Sequence, residues 1–140
     1  MKMTNREFGN KLRRALMSNA AYQILGTEGT WASGGCLILA NSLIMVLGLS
    51  PEDRYSIVDA SNLGYELYTE HVVIASGNGF LDADGFSTEL TLLQRWRQQE
   101  GLRDPQLLSF HLSTTSLEIP RDSEQSKRLA SFLAATILRQ

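Results

Sequence analysis

The sequence predicts an α+β domain in which a helix that is apolar on nearly every side packs on an antiparallel sheet, with further helices towards both chain ends. Three observations predict it. Residues 36–47 are apolar over a length no typical strand reaches and show no polar face, the pattern of a helix at the centre of a domain. Residues 71–75, His-Val-Val-Ile-Ala, are rich in β-branched side chains and run into Gly77-Asn78-Gly79, a hairpin signal. Helical periodicity marks both ends, through Phe8, Leu12, Ala15 and Leu16 and through Leu129, Phe132, Leu133 and Ile137. Strands joined by hairpins, rather than alternating with helices, separate α+β from α/β.

The elements follow in order. Thr4-Asn5-Arg6-Glu7 is a capping-box pattern and opens a first helix expected to reach about Leu25, where Gly26 ends it. Residues 26–35 are rich in Gly, Thr and Ser and read as a loop. The apolar helix comes next, with Gly48 as its C-terminal cap and Pro51 preventing continuation. Residues 55–59 form a candidate strand, and 60–70 a loop with a short extended piece. After the 71–75 strand and its turn, Phe80-Leu81-Asp82 returns. Residues 87–99 read as a helix with Leu90, Leu93 and Trp96 on one face, closed by Gly101. Residues 107–112 form another strand, and Asp122 with Gln125 caps the last helix.

Whole-chain properties bound the function. A chain of 140 residues without repeats or low-complexity linkers is a single domain, 1–140, and its 43% hydrophobic and 20% charged residues suit a packed core. The net charge of −2 comes with no basic stripe, which excludes nucleic acid as the main partner; Arg13-Arg14 and Lys127-Arg128 read as solvated helix faces. One cysteine cannot form an internal disulfide and fits a reducing compartment. The start of the sequence lacks a secretory pattern. The longest apolar run is broken by Asn41 and Ser42 and falls short of the ~20 residues that span a bilayer. The expectation is a soluble, cytoplasmic protein with no membrane partner. Its apolar C-terminal helix would suit a homodimer.

Chemistry concentrates on few residues. Cys36, the only cysteine, follows Trp31-Ala32-Ser33-Gly34-Gly35 and opens the apolar helix. Free N–H groups and the helix dipole there favour a thiolate, the nucleophilic form of cysteine. Gly34 and Gly35 would let a substrate backbone approach, Ser33 could donate a hydrogen bond or cap the helix, and Trp31 could wall a cleft. The plainer reading of Cys36 is a small buried hydrophobe. His71 opens a hydrophobic strand, where a neutral imidazole can take a thiol proton and later return it. Asp82 and Asp84 follow on the returning strand and share a face with His71 whether the turn is Gly77-Asn78 or Asn78-Gly79. A carboxylate on the ring's far nitrogen would fix the tautomer, and the simple registers make Asp84 the closer of the two. His111, on a face with Ser109, is a reserve base.

Metal and cofactor signals are weak. Asp82-Ala83-Asp84-Gly85 fails as a calcium loop, because Phe80 and Thr91 fall where carboxylates belong. No paired spacing supports zinc, and residues 26–35 lack the Lys-Ser/Thr of a nucleotide loop. Neither metal nor cofactor is expected.

The Gly-Gly-Cys that opens a buried helix, the His-Val-Val-Ile strand, the short turn and Phe-Leu-Asp-Ala-Asp-Gly together resemble papain-like cysteine hydrolases in the broad sense, including the transglutaminase-like and cell-wall amidase branches. The resemblance covers residues 31–85. It implies a nucleophile at Cys36 on a helix packed against an antiparallel sheet, a base at His71 and an orienting acid at Asp82, since the family's acid follows an aromatic-aliphatic pair such as Phe80-Leu81. Asp84 stays as the alternative acid. Thr30 stands where the family's oxyanion-donating Gln would be. The implied activity is a cysteine hydrolase or acyl-transferase of peptidase, amidase or deamidase type, working through an acyl-enzyme on a peptide or other amide-containing substrate. The alternative is a non-catalytic binding or regulatory module on the same scaffold. The cleft is expected between residues 26–35 and the His71 hairpin.

Overall fold

The computed structural model describes residues 3–27, 29–32, 34–61, 67–112 and 123–138. Thr4 accepts a hydrogen bond from the Glu7 N–H and starts α1 (Asn5–Leu16). The helix does not run on to Leu25. Ser18 adopts an extended backbone, donates its hydroxyl to the Ala15 carbonyl and accepts from the Ala21 N–H. One short polar side chain thus closes α1 and opens α2 (Asn19–Leu25), which Gly26 ends at φ 64°.

The apolar run forms α3 (Cys36–Leu47), buried from Cys36 through Ile44 and closed by Gly48 in the left-handed region. Its interior polar groups are partly satisfied: the Ser42 hydroxyl bonds to the Ile38 and Ser126 carbonyls and Arg54 donates to the Asn41 side-chain oxygen, while the Asn41 side-chain nitrogen is buried without a hydrogen-bond partner among the described residues. The strands are β1 (Arg54–Asp59), β2 (His71–Ser76), β3 (Gly79–Asp82), β4 (Gly85–Ser87) and β5 (Pro105–Ser109). Among the described residues they form one antiparallel sheet in the order β4-β3-β2-β1-β5.

Three sequence expectations shift here. Ser87 pairs with Phe80 in a strand, so α4 (Glu89–Glu100) begins later, capped by Thr88. Its buried stripe is Leu92 and Trp96 with Leu93 half-buried, whereas Leu90, two residues from Leu92 and so on the other side of the helix, is 69% exposed. β5 starts at Pro105, tolerated on an edge strand, and ends at Ser109; Phe110–Leu112 curls into a 3-10 turn, which takes His111 off the sheet. The Asp59 carboxylate accepts from Ser61, Arg103 and Asp104, pinning the return from α4 to β5; those hydrogen bonds, led by the Ser61 hydroxyl, hold its pKa at about 2.

Asp122 lies outside the described residues. Ser123 caps α5 (Glu124–Leu133), accepting from the Ser126 N–H, and Gln125 instead donates to the Ile24 and Leu25 carbonyls, tying α5 to α2. A π-type turn, Ala134–Leu138, extends α5 and buries Ile137.

The sheet is covered on both faces. Val72, Ile74 and Leu81 join the large core built from α1, α2, α3 and α5. Ile57 and Val73 meet Leu92 and Trp96 of α4 on the other face, with Phe80 beside them. Each leucine fully buried in these layers contributes about 1.5–3 kcal/mol relative to exposure. No helix among the described residues is long and apolar enough to cross a membrane.

Candidate active site

The loop before α3 is folded back on itself. The Gly35 N–H donates to the Thr30 carbonyl at 2.9 Å, and Gly34 sits at φ 91°, a conformation that L side chains rarely adopt. Gly35 is buried, and a Cβ there would come within 2.6 Å of Leu25 Cδ1 and 2.8 Å of the Thr30 oxygen. The space beside Gly35 is filled by the protein's own chain. Trp31 is also buried; its indole N–H donates to the Leu16 carbonyl at 3.0 Å, and its ring lies beside Tyr22. Ser33 lies outside the described residues.

Cys36 is the first residue of α3, whose first turn has neither a side-chain cap nor an acidic residue. That leaves the dipole's positive end for the sulfur. Cys36 is only 5% exposed, and burial pushes its thiol pKa up. A hydrogen bond from His71 and its charge, with the N–H groups of Val72 and Leu37, outweigh burial and hold the thiol below its ordinary value.

His71 is the first residue of β2, opposite Ile57, and is 2% exposed. Its Nε2 lies 3.0 Å from Asp82 Oδ2. With an ionised carboxylate there, Nε2 carries the proton and Nδ1 is left to accept. Nδ1 is buried and makes no hydrogen bond of standard geometry among the described residues, and Cys36 is the second group, after Asp82, that acts on the ring. Trp96 stacks on the ring, with centroids 4.5 Å apart and planes 25° from parallel. Burial lowers the proton affinity of His71, but the Asp82 hydrogen bond, the Cys36 hydrogen bond and both negative charges raise it to about 9.

Asp82, at 3% exposure, ends β3 with its side chain held on three sides. Oδ2 receives His71 Nε2 and, at 3.2 Å, Arg95 Nη2; Oδ1 accepts the Asp84 N–H at 3.0 Å. Asp84 is exposed and does not reach the ring. The turn is Gly77-Asn78, as one of the two registers requires, but β3 stops at Asp82 and turns into β4, so Asp84 never continues the ladder towards His71. Its carboxylate faces Arg95 Nε at 3.6 Å instead. His111 is exposed beyond the Tyr55–Ser109 pair, two strands across from β2. The structure therefore brings Cys36, His71 and Asp82 together and leaves Asp84 and His111 apart from the ring.

Two α4 residues join this cluster without a sequence signal pointing to them. Trp96 reads from the sequence as part of the apolar face of its helix, not as the face on which His71 rests. Arg95 is one more arginine on an amphipathic helix, yet it reaches Asp82, Asp84 and, at 3.2 Å, the Ser87 hydroxyl. Only the fold places α4 over the end of the hairpin.

Cavities flank the loop on either side. One of about 330 Å³ lies between Tyr22, Trp31 and Ala32 and the Ala83-Asp84 turn. Another of about 280 Å³ is lined by Glu70, Trp96, Glu100 and Leu102. They share Thr30 and Ala32, and neither is lined by a residue of the β2–β3 hairpin, against which the cleft was expected. Cys36 and His71 line neither. Among the described residues no group of three His, Cys, Asp or Glu side chains is placed to hold a metal ion.

Compared with family models, with curated proteins and with solved structures, the chain gives no match.

Proposed function

We propose that this protein is a thiol-dependent hydrolase or acyl-transferase that uses Cys36, His71 and Asp82 on a papain-like arrangement, acting on an amide or thioester carbonyl. One observation carries this reading. A buried His71 gives one ring nitrogen to Asp82 at 3.0 Å and keeps its other nitrogen free of a hydrogen bond among the described residues, and the ring and the Cys36 thiol at the start of α3 shift each other's titration. Isolated buried cysteines have no such partner and behave as small hydrophobes.

The chemistry follows from the protonation pattern. A lowered thiol pKa beside a raised imidazole pKa favours the thiolate–imidazolium pair over the neutral pair. The Cys36 sulfur attacks the carbonyl carbon, and the Cys36 N–H at the start of α3 would stabilise part of the charge that develops on oxygen. The His71 Nδ1 proton passes to the leaving amine or thiol, the carbon–leaving-group bond breaks, and an acyl-enzyme remains. Water or an amine then adds, Nδ1 takes its proton, and the thioester bond to Cys36 breaks. Asp82 keeps the ring's other nitrogen protonated and its plane fixed throughout. The two cavities share Thr30 and Ala32, in the loop that leads into Cys36, and lie nearest to where a substrate would have to enter.

The burial of both Cys36 and His71 favours a second reading, a binding or regulatory module whose site stays closed. Labelling with a small thiol-directed electrophile separates the two. The catalytic reading expects fast labelling of Cys36 at pH 6 that slows by about tenfold or more in His71→Ala. Slow labelling of the wild type at that pH, unaffected by the substitution, would sink it.

A further inference from the structure

We propose that Arg95 is a positioning residue that sets the proton affinity of the Cys36–His71 pair through Asp82, by holding the same carboxylate oxygen that His71 holds. The proposal rests on the Cys36–His71–Asp82 reading and extends it to α4.

The geometry places four charges in alternation. Cys36 sits at one end, then His71, then Asp82, then Arg95, whose Nε faces the exposed Asp84. His71 meets Asp82 from β3, Cys36 from α3 and the uncharged Trp96 from α4. Its neighbour in sequence, Glu70, is exposed at the rim. Arg95 therefore acts on the ring through the one group they share. Nη2 lies 3.2 Å from Oδ2 and the ring's Nε2 lies 3.0 Å from the same atom, so the oxygen divides its charge between two donors. Nη1 on the Ser87 hydroxyl, in a residue that is itself buried, fixes the guanidinium plane.

The division has a functional sign. An aspartate acting alone on His71 would strengthen the ring's hold on its proton, and a general acid that holds its proton too tightly cannot pass it to a leaving group. A cation on Asp82 opposes that pull. It also favours the thiolate across the ring, since a positive charge lowers the proton affinity of both members of the pair. Removing the Arg95 charge should therefore move both titrations to higher pH. A role confined to holding the fold would change stability and leave the titrations in place.

The test uses two readouts on the full chain. One is the pH dependence of Cys36 alkylation by iodoacetamide. The other is the ring-nitrogen NMR titration of His71, which only His111 accompanies because the chain has two histidines. Arg95→Gln keeps a hydrogen-bond donor for Asp82 but loses the charge. It should shift both profiles upward by about one pH unit. Arg95→Lys restores the charge and should keep both close to the wild type. A folded Arg95→Gln variant with an unmoved His71 titration overturns the proposal. If that variant does not fold, Arg95→Lys decides: a wild-type profile supports the charge role, and a shift as large as one unit overturns it. Failure of the underlying reading is distinct. It shows in the wild type, as slow alkylation independent of His71, and the proposal falls with it.

Discussion

Asp82 Oδ2 lies 3.0 Å from His71 Nε2 although the two residues are not cross-strand partners. In the observed register Ile74 faces Leu81, so continuing the ladder would set Val73 opposite Asp82 and leave His71 two residues further out. The contact is a diagonal one along a single face of the hairpin, possible because both side chains are polar, of intermediate length and on the same parity of the pleat. The strand pairing that seemed to favour Asp84 fails because β3 ends at Asp82, and the next two residues form the turn into β4.

This relationship makes the two aspartates separable by mutation. Asp82→Asn should cut the pH 6 alkylation rate of Cys36 by about tenfold or more, because the ring loses the carboxylate that keeps it protonated. It should also destabilise the fold by about 1–3 kcal/mol, by leaving Arg95 without its buried partner. Asp84→Asn should change the rate by less than about twofold, since its exposed carboxylate meets Arg95 at 3.6 Å and exposed pairs are worth little. Equal effects in the two variants would contradict the assignment of Asp82. Alkylation kinetics and urea unfolding of both variants give the comparison.

Trp96 covers the His71 ring and forms the centre of the smaller core with Ile57, Val73 and Leu92. Trp96→Ala should cost about 3–5 kcal/mol in urea unfolding, as truncation of a buried aromatic does. Trp96→Phe should recover much of that and keep a ring over His71. Should alkylation in Trp96→Phe be as slow as in His71→Ala, the ring's shape rather than its presence would be the requirement.

Gly35 offers a contrast between packing and substrate access. If glycine is there for packing, Gly35→Ala should destabilise the protein by about 1–3 kcal/mol, because its Cβ would fall 2.6 Å from Leu25 Cδ1 and 2.8 Å from the Thr30 oxygen. Gly34→Ala should cost about 1–2 kcal/mol through its backbone angle of φ 91°. Thermal unfolding of both variants measures this. A Gly35→Ala protein as stable as the wild type would return the residue to the role of leaving room for a substrate.

What was legible in the sequence follows the range of the forces involved. The burial of α3 could be read from its composition, and the β2–β3 turn from Gly77-Asn78, because both depend on neighbours along the chain. The break at Ser18 depends on one hydroxyl serving two helices, and a periodic apolar pattern runs straight through it. The short strand β4 has three residues, too few for any alternation to show. The pairing of His71 with Asp82 was accessible as a shared face, but the choice of Asp82 over Asp84 depends on where β3 stops. Arg95 and Trp96 were out of reach for a different reason: what they do depends on α4 crossing the sheet face opposite α3, a long-range placement with no local signature.

The Cys36–His71 pair also fixes how stability should vary with pH. His71 has a raised folded pKa, about 9, so its contribution is full below its unfolded value of about 6.5 and is lost as pH rises through the folded value. Cys36 has a lowered folded pKa, so its contribution is present above its unfolded value and lost as pH falls through the folded one. Above about pH 6.5 the unfolded imidazole has lost its proton while the folded one keeps it up to about 9, so the slope that His71 gives is opposed by the slope that Cys36 gives. Wild-type stability should therefore vary less with pH than His71 alone would make it. Cys36→Ala removes the compensating partner. Its stability should fall as pH rises from about 6.5, by on the order of 2 kcal/mol in total, and level off at a lower pH than 9 because Cys36 supplied part of the rise. Urea unfolding of both proteins at half-unit pH steps, with His71→Ala/Cys36→Ala as the baseline for all other groups, measures the difference. A Cys36→Ala profile parallel to that baseline would mean that Asp82 alone does not keep His71 protonated, and that the charge on the imidazole depends on the thiolate.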